Sequence, residues 1–265
     1  MHIVDAHCHA SPYWYEPVEA LLHQMDRNQV AQALLVQYHG QYDNAYQFAC
    51  VRRHPDRLAA VVLVDVAAAT APETLERLAE EGAVGLRLRV DDRSPGDDPL
   101  AIWRKAAALG LPVTCTGTKE RFAQEEFAAL VAALPQLPII LEHLGSLNHP
   151  EEEGPPYPLR SQVFALARYP NVYIKIHGVG EICPRTAEVT GPMPFHRENL
   201  QLFHQAYQAF GPARMMWGSD FPPVSGREGY GNALRWTWEH FSSYSEEDRA
   251  LIFGETARRL YGLGG

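Results

Sequence analysis

The sequence predicts an α/β protein folded as a (β/α)8 TIM barrel, on three observations. Eight short β-branched runs recur along the chain, their starts 30, 26, 25, 29, 26, 34 and 43 residues apart. Segments with helical patterning separate them, and polar residues fall at the C-terminal ends of the apolar runs. At 265 residues the chain has a length that one such barrel fills, and with neither linker nor internal repeat it reads as one domain over 1–265. A doubly wound open sheet is the competing architecture, but no glycine-rich phosphate turn follows the first run.

The first run, HIVDAHCH (2–9), brings Asp5, His7 and His9 to one side of an extended strand, because side chains alternate faces. A polar edge strand would show the same pattern, so the later strands decide its meaning. EPVEALLHQMDRNQ follows with helical spacing, and QALLVQYH (32–39) then ends on Tyr38 and His39. LAAVVLVD (58–65) ends on Asp65, and APETLERLAEEG leads to AVGLRLRV (83–90), which carries Arg87 and Arg89. PLAIWRKAAALG closes with a glycine where a helix C-cap favours one. PVTCTGT (112–118) contributes Thr116 and Thr118, and PIILEHLG (138–145) contributes His143. VYIKIHGV (172–179) carries Lys175 and His177, and MMWGSDFP (215–222) carries Asp220. In a barrel these strand ends meet at one mouth, which favours a site over a solvated edge. The two long gaps follow strands six and seven and contain NHPEEEGPPYPLR and EICPRTAEVTGPMPFHREN, where substrate selection is expected.

Composition narrows the function. Twenty-three Lys plus Arg against thirty-two Asp plus Glu gives a formal charge of −9, which argues against non-specific binding to nucleic acid or an anionic membrane. The four cysteines form no CxxC pair, and no secretory signal pattern precedes DAHCH, so a reduced, cytoplasmic setting is expected. The most apolar stretch, LAAVVLVDVAAA, is too short to span a bilayer and carries Asp65.

His7, His9 and Asp220 are the candidate metal ligands. Neutral imidazole and carboxylate suit zinc, three protein ligands plus water make a catalytic site, and strands one and eight are neighbours in a closed barrel. His143 reads as a third ligand, a proton shuttle or a core histidine. Arg87 and Arg89 share a face and suit a substrate carboxylate, or else pair with structural acids. With Tyr38 and Lys175 they are the expected substrate-binding residues, although Lys175 also reads as an inner-barrel structural cation. Tyr13 and Trp14 wall the pocket or pack the first loop; His39, His177 and His196 are further lining candidates. Ser219 lacks a nucleophile elbow, which removes serine catalysis.

Together DAHCHA (5–10), LEHLG (141–145), NVYIKIHG (171–178) and MMWGSDFP (215–222) resemble the amidohydrolase-related family (amidohydrolase-2 type) of the amidohydrolase superfamily, over nearly the whole chain. The resemblance implies metal ligation by His7 and His9. It implies a strand-eight Asp220 that binds metal and activates water, and a His143 that polarises substrate or moves a proton. Metal-dependent decarboxylases of the family supply a further histidine from strand five, where this chain reads VTCTGT, so that Cys115, Thr116 or nothing fills that space. The lactonase branch, acting on 2-pyrone-dicarboxylate and sugar lactones, is more similar there, and it includes members that work without metal. The expectation is a hydrolase opening a small, anionic lactone or related ester or amide. Asp220 and His143 are its catalytic residues and one divalent ion, Zn2+, its cofactor, with metal-free action as the alternative. A non-oxidative decarboxylase anchored by Arg87 or Arg89, and a non-catalytic ligand-binding barrel, are the other readings. The expected partner is a small-molecule substrate, and a homo-oligomer is compatible with the sequence.

Overall fold

The computed structural model describes residues 1–148, 154–189 and 191–264. Eight parallel strands make one sheet in the order of the sequence: β1 (Ile3–Cys8), β2 (Val30–Val36), β3 (Leu58–Val62), β4 (Ala83–Arg89), β5 (Val113–Thr116), β6 (Ile139–Leu141), β7 (Val172–Ile176) and β8 (Met215–Trp217). Each expected run supplies one strand, and the sheet curls into a (β/α)8 barrel. Closure comes just past the last strand, where Asp220 N donates to His7 O and His9 N donates to Phe221 O, each at 2.8 Å. Helices cover the outside; Val18–Arg27 buries Val18, Leu21 and Met25, the stripe that a 3.6-residue period presents to a sheet.

Strand side chains sort into two layers, as expected where both faces of a parallel sheet are covered. Leu34, Val36, Ala59, Val61, Ile140 and Met216 meet inside the barrel, with Tyr261 of the final helix (Thr256–Tyr261) plugging the floor. Leu35, Ala60, Val62, Ile139, Leu141 and Trp217 face the helices.

The register shifts between Ile3 and Val4, between Asp5 and Cys8 and between Ala60 and Val61, and the second of these corrects the reading of β1. Asp5 pairs with Ala33 but Cys8 pairs with Leu35, so three steps on β1 oppose two on β2. One extra residue flips the faces on either side of it. His7 and His9 therefore point into the barrel while Asp5 points out. The Asp5 carboxylate accepts from Ser219 N at 2.8 Å, His7 N at 3.2 Å and the Tyr230 hydroxyl at 2.9 Å. It staples β1 to the segment after β8 and is not a wall of the site.

The strands also end earlier than the apolar runs suggest: β2 stops at Val36, β6 at Leu141 and β8 at Trp217. The trimmed residues include the polar Tyr38, His39, Glu142, His143 and Asp220, which follow the strands at the barrel mouth. Residues 149–153 of the long post-β6 loop, and residue 190 of the post-β7 loop, lie outside the described residues. Among the described residues no helix is long and apolar enough to cross a membrane.

Candidate active site

The site rises in layers from the barrel floor. Thr114 on β5 shares a hydrogen bond with the Tyr261 hydroxyl at 3.0 Å and accepts from Lys175 Nζ at 2.9 Å. Lys175, expected on the substrate wall, is instead sealed beneath His7, with Nζ 3.2 Å from His7 Nδ1. Burial lowers its pKa to about 8. Cys115 faces the outer core, so β5 sends no metal-competent side chain inward in place of the histidine it lacks.

Arg87 and Glu142 occupy the next layer. Arg87 Nε and Nη2 grip the two oxygens of Glu142 at 2.9 and 2.7 Å, while Nη1 donates to Gln37 O at 2.9 Å. All three Arg87 nitrogens are therefore engaged by the protein, so the structural reading of this residue holds in the geometry. Burial alone would raise Glu142, but the adjacent guanidinium outweighs it and holds the carboxyl well below the usual range. Glu142 Oε1 also lies 3.7 Å from His7 Nδ1. Arg89 sits at the exposed end of β4, lining a separate crevice with Asp65 and Asp92.

Asp220, His9 and His143 form the mouth. Asp220 takes a left-handed backbone at φ 57°, which turns its side chain inward directly after the β8 ladder ends. His143 begins a run at φ 51°, 55°, 67° and 61° through Ser146. For non-glycine residues each such conformation costs roughly 1–2 kcal/mol. Here the run lets consecutive residues, Glu142 and His143, both face the site. Gly145 in that turn has no room for a side chain, since a Cβ would stand 2.5 Å from Val163. Asp220 Oδ2 accepts from Arg227 Nη1 at 3.1 Å, leaving Oδ1 4.0 Å from His7 Nε2 and 3.9 Å from His9 Nε2. His143 Nδ1 is bonded to Glu181, whose carboxylate is buried. Burial opposes the imidazolium, yet Glu181 prevails and raises His143 to about 9. Burial likewise raises Asp220, with His143 and Arg227 pulling the other way.

Above this layer lies a cavity of about 690 Å³ whose wall includes Tyr13, Trp14, Tyr15, Tyr38, His39 and Arg87. Tyr15 stacks on His9 at 5.2 Å and meets Tyr38 edge-on at 5.5 Å. Tyr13 and Trp14 are 90% and 72% exposed at the rim. The structure thus brings His7, His9, His143, Asp220, Arg87 and Tyr38 together, and leaves Arg89 and the exposed His196 outside. Ser219 is buried, its hydroxyl accepting from Phe221 N at 2.9 Å.

Glu142, Glu181 and Arg227 were missed. Glu142 carried a signal: an arginine inside the apolar run AVGLRLRV needs a buried partner, and IILEHLG holds the matching charge. Glu181 sits in the single helical turn Val179–Ile182 and Arg227 in a loop, segments too short for periodicity, and they carried none.

The residues present fit a metal ion. His9 Nδ1–H donates to Val36 O at 2.6 Å, which leaves its Nε2 lone pair facing Asp220. His7 Nε2 is buried with no hydrogen-bond partner. Burial lowers both imidazoles, His9 to about 3, which favours the neutral form that a metal would need. His7 has two tautomers available: Nδ1–H toward Glu142 frees Nε2 for an ion, whereas acceptance from Lys175 puts the proton on Nε2, aimed at Asp220. By ligand-atom distance it is His143 that groups with His7 and Asp220, within 4.8 Å, whereas His9 approaches Asp220 at 3.9 Å without closing such a group among the described residues.

A family model described as amidohydrolase matches residues 4–263. Solved structures with the same fold include an amidohydrolase of Burkholderia multivorans with bound zinc, at TM-score 0.82 and 22% identity over 100% of both chains. A putative 2-pyrone-4,6-dicarboxylic acid hydrolase of Pseudomonas putida superposes at TM-score 0.78, with 22% identity over 100% of this chain and 98% of that one. A probable hydrolase of the same acid from Acinetobacter baumannii, with citric acid bound, gives 0.75 and 19% over 99% and 100%. No curated protein matches the chain.

Proposed function

The chain belongs to the amidohydrolase family, and we propose that this enzyme hydrolyses a small, anionic lactone or a related ester or amide. The observation that carries the reading is the division of labour at Asp220. Arg227 occupies Oδ2, so Oδ1 is the oxygen presented to the cavity beside two neutral imidazoles. There it takes the proton of an attacking water. His143, held as a donor by Glu181 across the mouth, stabilises the carbonyl oxygen and returns a proton to the leaving oxygen. His7, His9 and Asp220 hold the metal, with zinc the choice that the zinc-bound Burkholderia neighbour supports. Zinc held there supplies Lewis acidity toward carbonyl and water.

The anionic, cyclic substrate is supported by the names of the Pseudomonas and Acinetobacter proteins and by the citric acid in the latter. The aromatic wall of Tyr15 and Tyr38 suits a flat ring. Four free, buried cysteines support a cytoplasmic, reducing location. A panel of carboxylated pyrones and sugar-acid lactones, followed by titration of the acid released, tests the reading. Ring opening of a carboxylated lactone is expected; turnover confined to linear acids, with carbon dioxide released, counts against it.

A further inference from the structure

We infer that His143, His177 and Glu181 form a second divalent-cation site, one that takes zinc-like ions and is distinct from the site at His7, His9 and Asp220. One ligand atom from each of the three lies within 4.8 Å of the others. His177 is the residue that points to a ligand. Its ring is 1% exposed, and Nδ1 donates to Gly218 O at 2.9 Å, which fixes Nε2 as the lone-pair nitrogen. That Nε2 is buried with no hydrogen-bond partner. A buried acceptor without a donor is a standing cost that a cation removes. The backbone is anchored too, since Thr237 Oγ1 donates to His177 O at 3.1 Å. The ring lies against His143, centroids 4.4 Å apart and planes inclined by 27°.

Two imidazoles and a carboxylate are a sufficient donor set for zinc, whose bonds to N and O run about 2.0–2.2 Å, so side-chain rotations of about an ångström close the triangle. His143 groups by distance with either site, but its bond to Glu181 assigns Nδ1 to the second. Glu181 also lines a cavity of about 310 Å³, distinct from the one lined by His9, His143 and Asp220. As the ion enters, the proton shared by His143 and Glu181 leaves to solvent, and both groups turn to the metal. His7 and His177 are only 5.1 Å apart, so two like charges repel and the second ion binds more weakly than the first. Its effect on turnover rests on the hydrolytic reading: with Nδ1 on the ion and Glu181 taken, His143 keeps only its Nε2–H and is no longer an imidazolium that can give a proton to the leaving oxygen, so excess zinc inhibits.

The test is equilibrium dialysis of metal-stripped protein against zinc, with bound metal counted by mass spectrometry. Wild type is expected to hold two equivalents at saturation. His177→Phe keeps a flat ring against His143 without the lone pair, and should hold one. Glu181→Gln is counted the same way and should also hold one, which keeps the test decisive if the first variant does not fold. His9→Ala should retain the second site. Hydrolysis by wild type should fall by an order of magnitude or more as the second equivalent binds, and His177→Phe should escape that loss. One equivalent in wild type, or two in His177→Phe, overturns the inference. Counts of two and one in a protein that opens no lactone uphold the cation site and overturn the hydrolytic reading alone.

Discussion

The two oxygens of Asp220 are held in different company, and the proposed chemistry rests on that difference. Arg227 fixes Oδ2, and the left-handed backbone aims Oδ1 at His7 and His9. Asp220→Asn should keep the fold, with an unchanged circular-dichroism spectrum, and lose roughly 10²- to 10⁴-fold in kcat/KM, the usual scale of general-base loss. Activity within a few-fold of wild type would remove Asp220 from the mechanism. His7→Ala separates the two tautomer modes: in the metal-dependent mode both that substitution and exhaustive chelation abolish turnover, and zinc restores only the chelated wild type. The Arg87–Glu142 pair makes a stability claim instead. Both side chains are buried, so Arg87→Met strands a carboxylate and should cost about 3–5 kcal/mol in urea unfolding. Removing both charges in Arg87→Met/Glu142→Leu should recover most of that loss. Equal destabilisation in the single and double variants would show that the pair is not the source.

At the scale of elements, the barrel seam between β1 and the segment after β8 does the positioning. A Cβ on Gly218 would stand 2.6 Å from His7 Cβ and 2.8 Å from His7 N, so only glycine lets the two backbones approach. Gly218→Ala should therefore push His7 out of line, lowering zinc affinity and turnover together; an unaffected zinc affinity would contradict that role. The eight strands were legible because their apolar runs are long, β-branched and regularly spaced. The trimmed strand ends were not, because His143 and Asp220 leave the ladder through left-handed turns that no hydrophobic period encodes. Asp5 was misplaced for a related reason: a single inserted residue on β1 is invisible to a two-residue alternation, yet it decides which face each side chain takes. The site was half-visible. Its histidines and Asp220 stand at strand ends, whereas Glu181 comes from a single helical turn and Arg227 from a loop, and both enter only through tertiary packing.

The whole molecule is tied together by its first and last elements. Tyr261 sits 4% exposed in the inner cluster and bonds Thr114, which in turn holds Lys175 beneath His7. Tyr261→Ala should leave a cavity in the barrel floor, cost about 3–5 kcal/mol and lower Tm by on the order of 10 °C. The same Tm as wild type in a differential scan would show that the final helix does not plug the barrel. In the proposed function, the mouth above that floor adds water across an acyl–oxygen bond. The most direct measurement is turnover of a carboxylated lactone in ¹⁸O-enriched water, with mass spectrometry of the product and of the headspace gas. One labelled oxygen in the new carboxylate, no carbon dioxide, and loss of the labelled product in Asp220→Asn are expected. Carbon dioxide with an unlabelled product, or full labelling in Asp220→Asn, would contradict it.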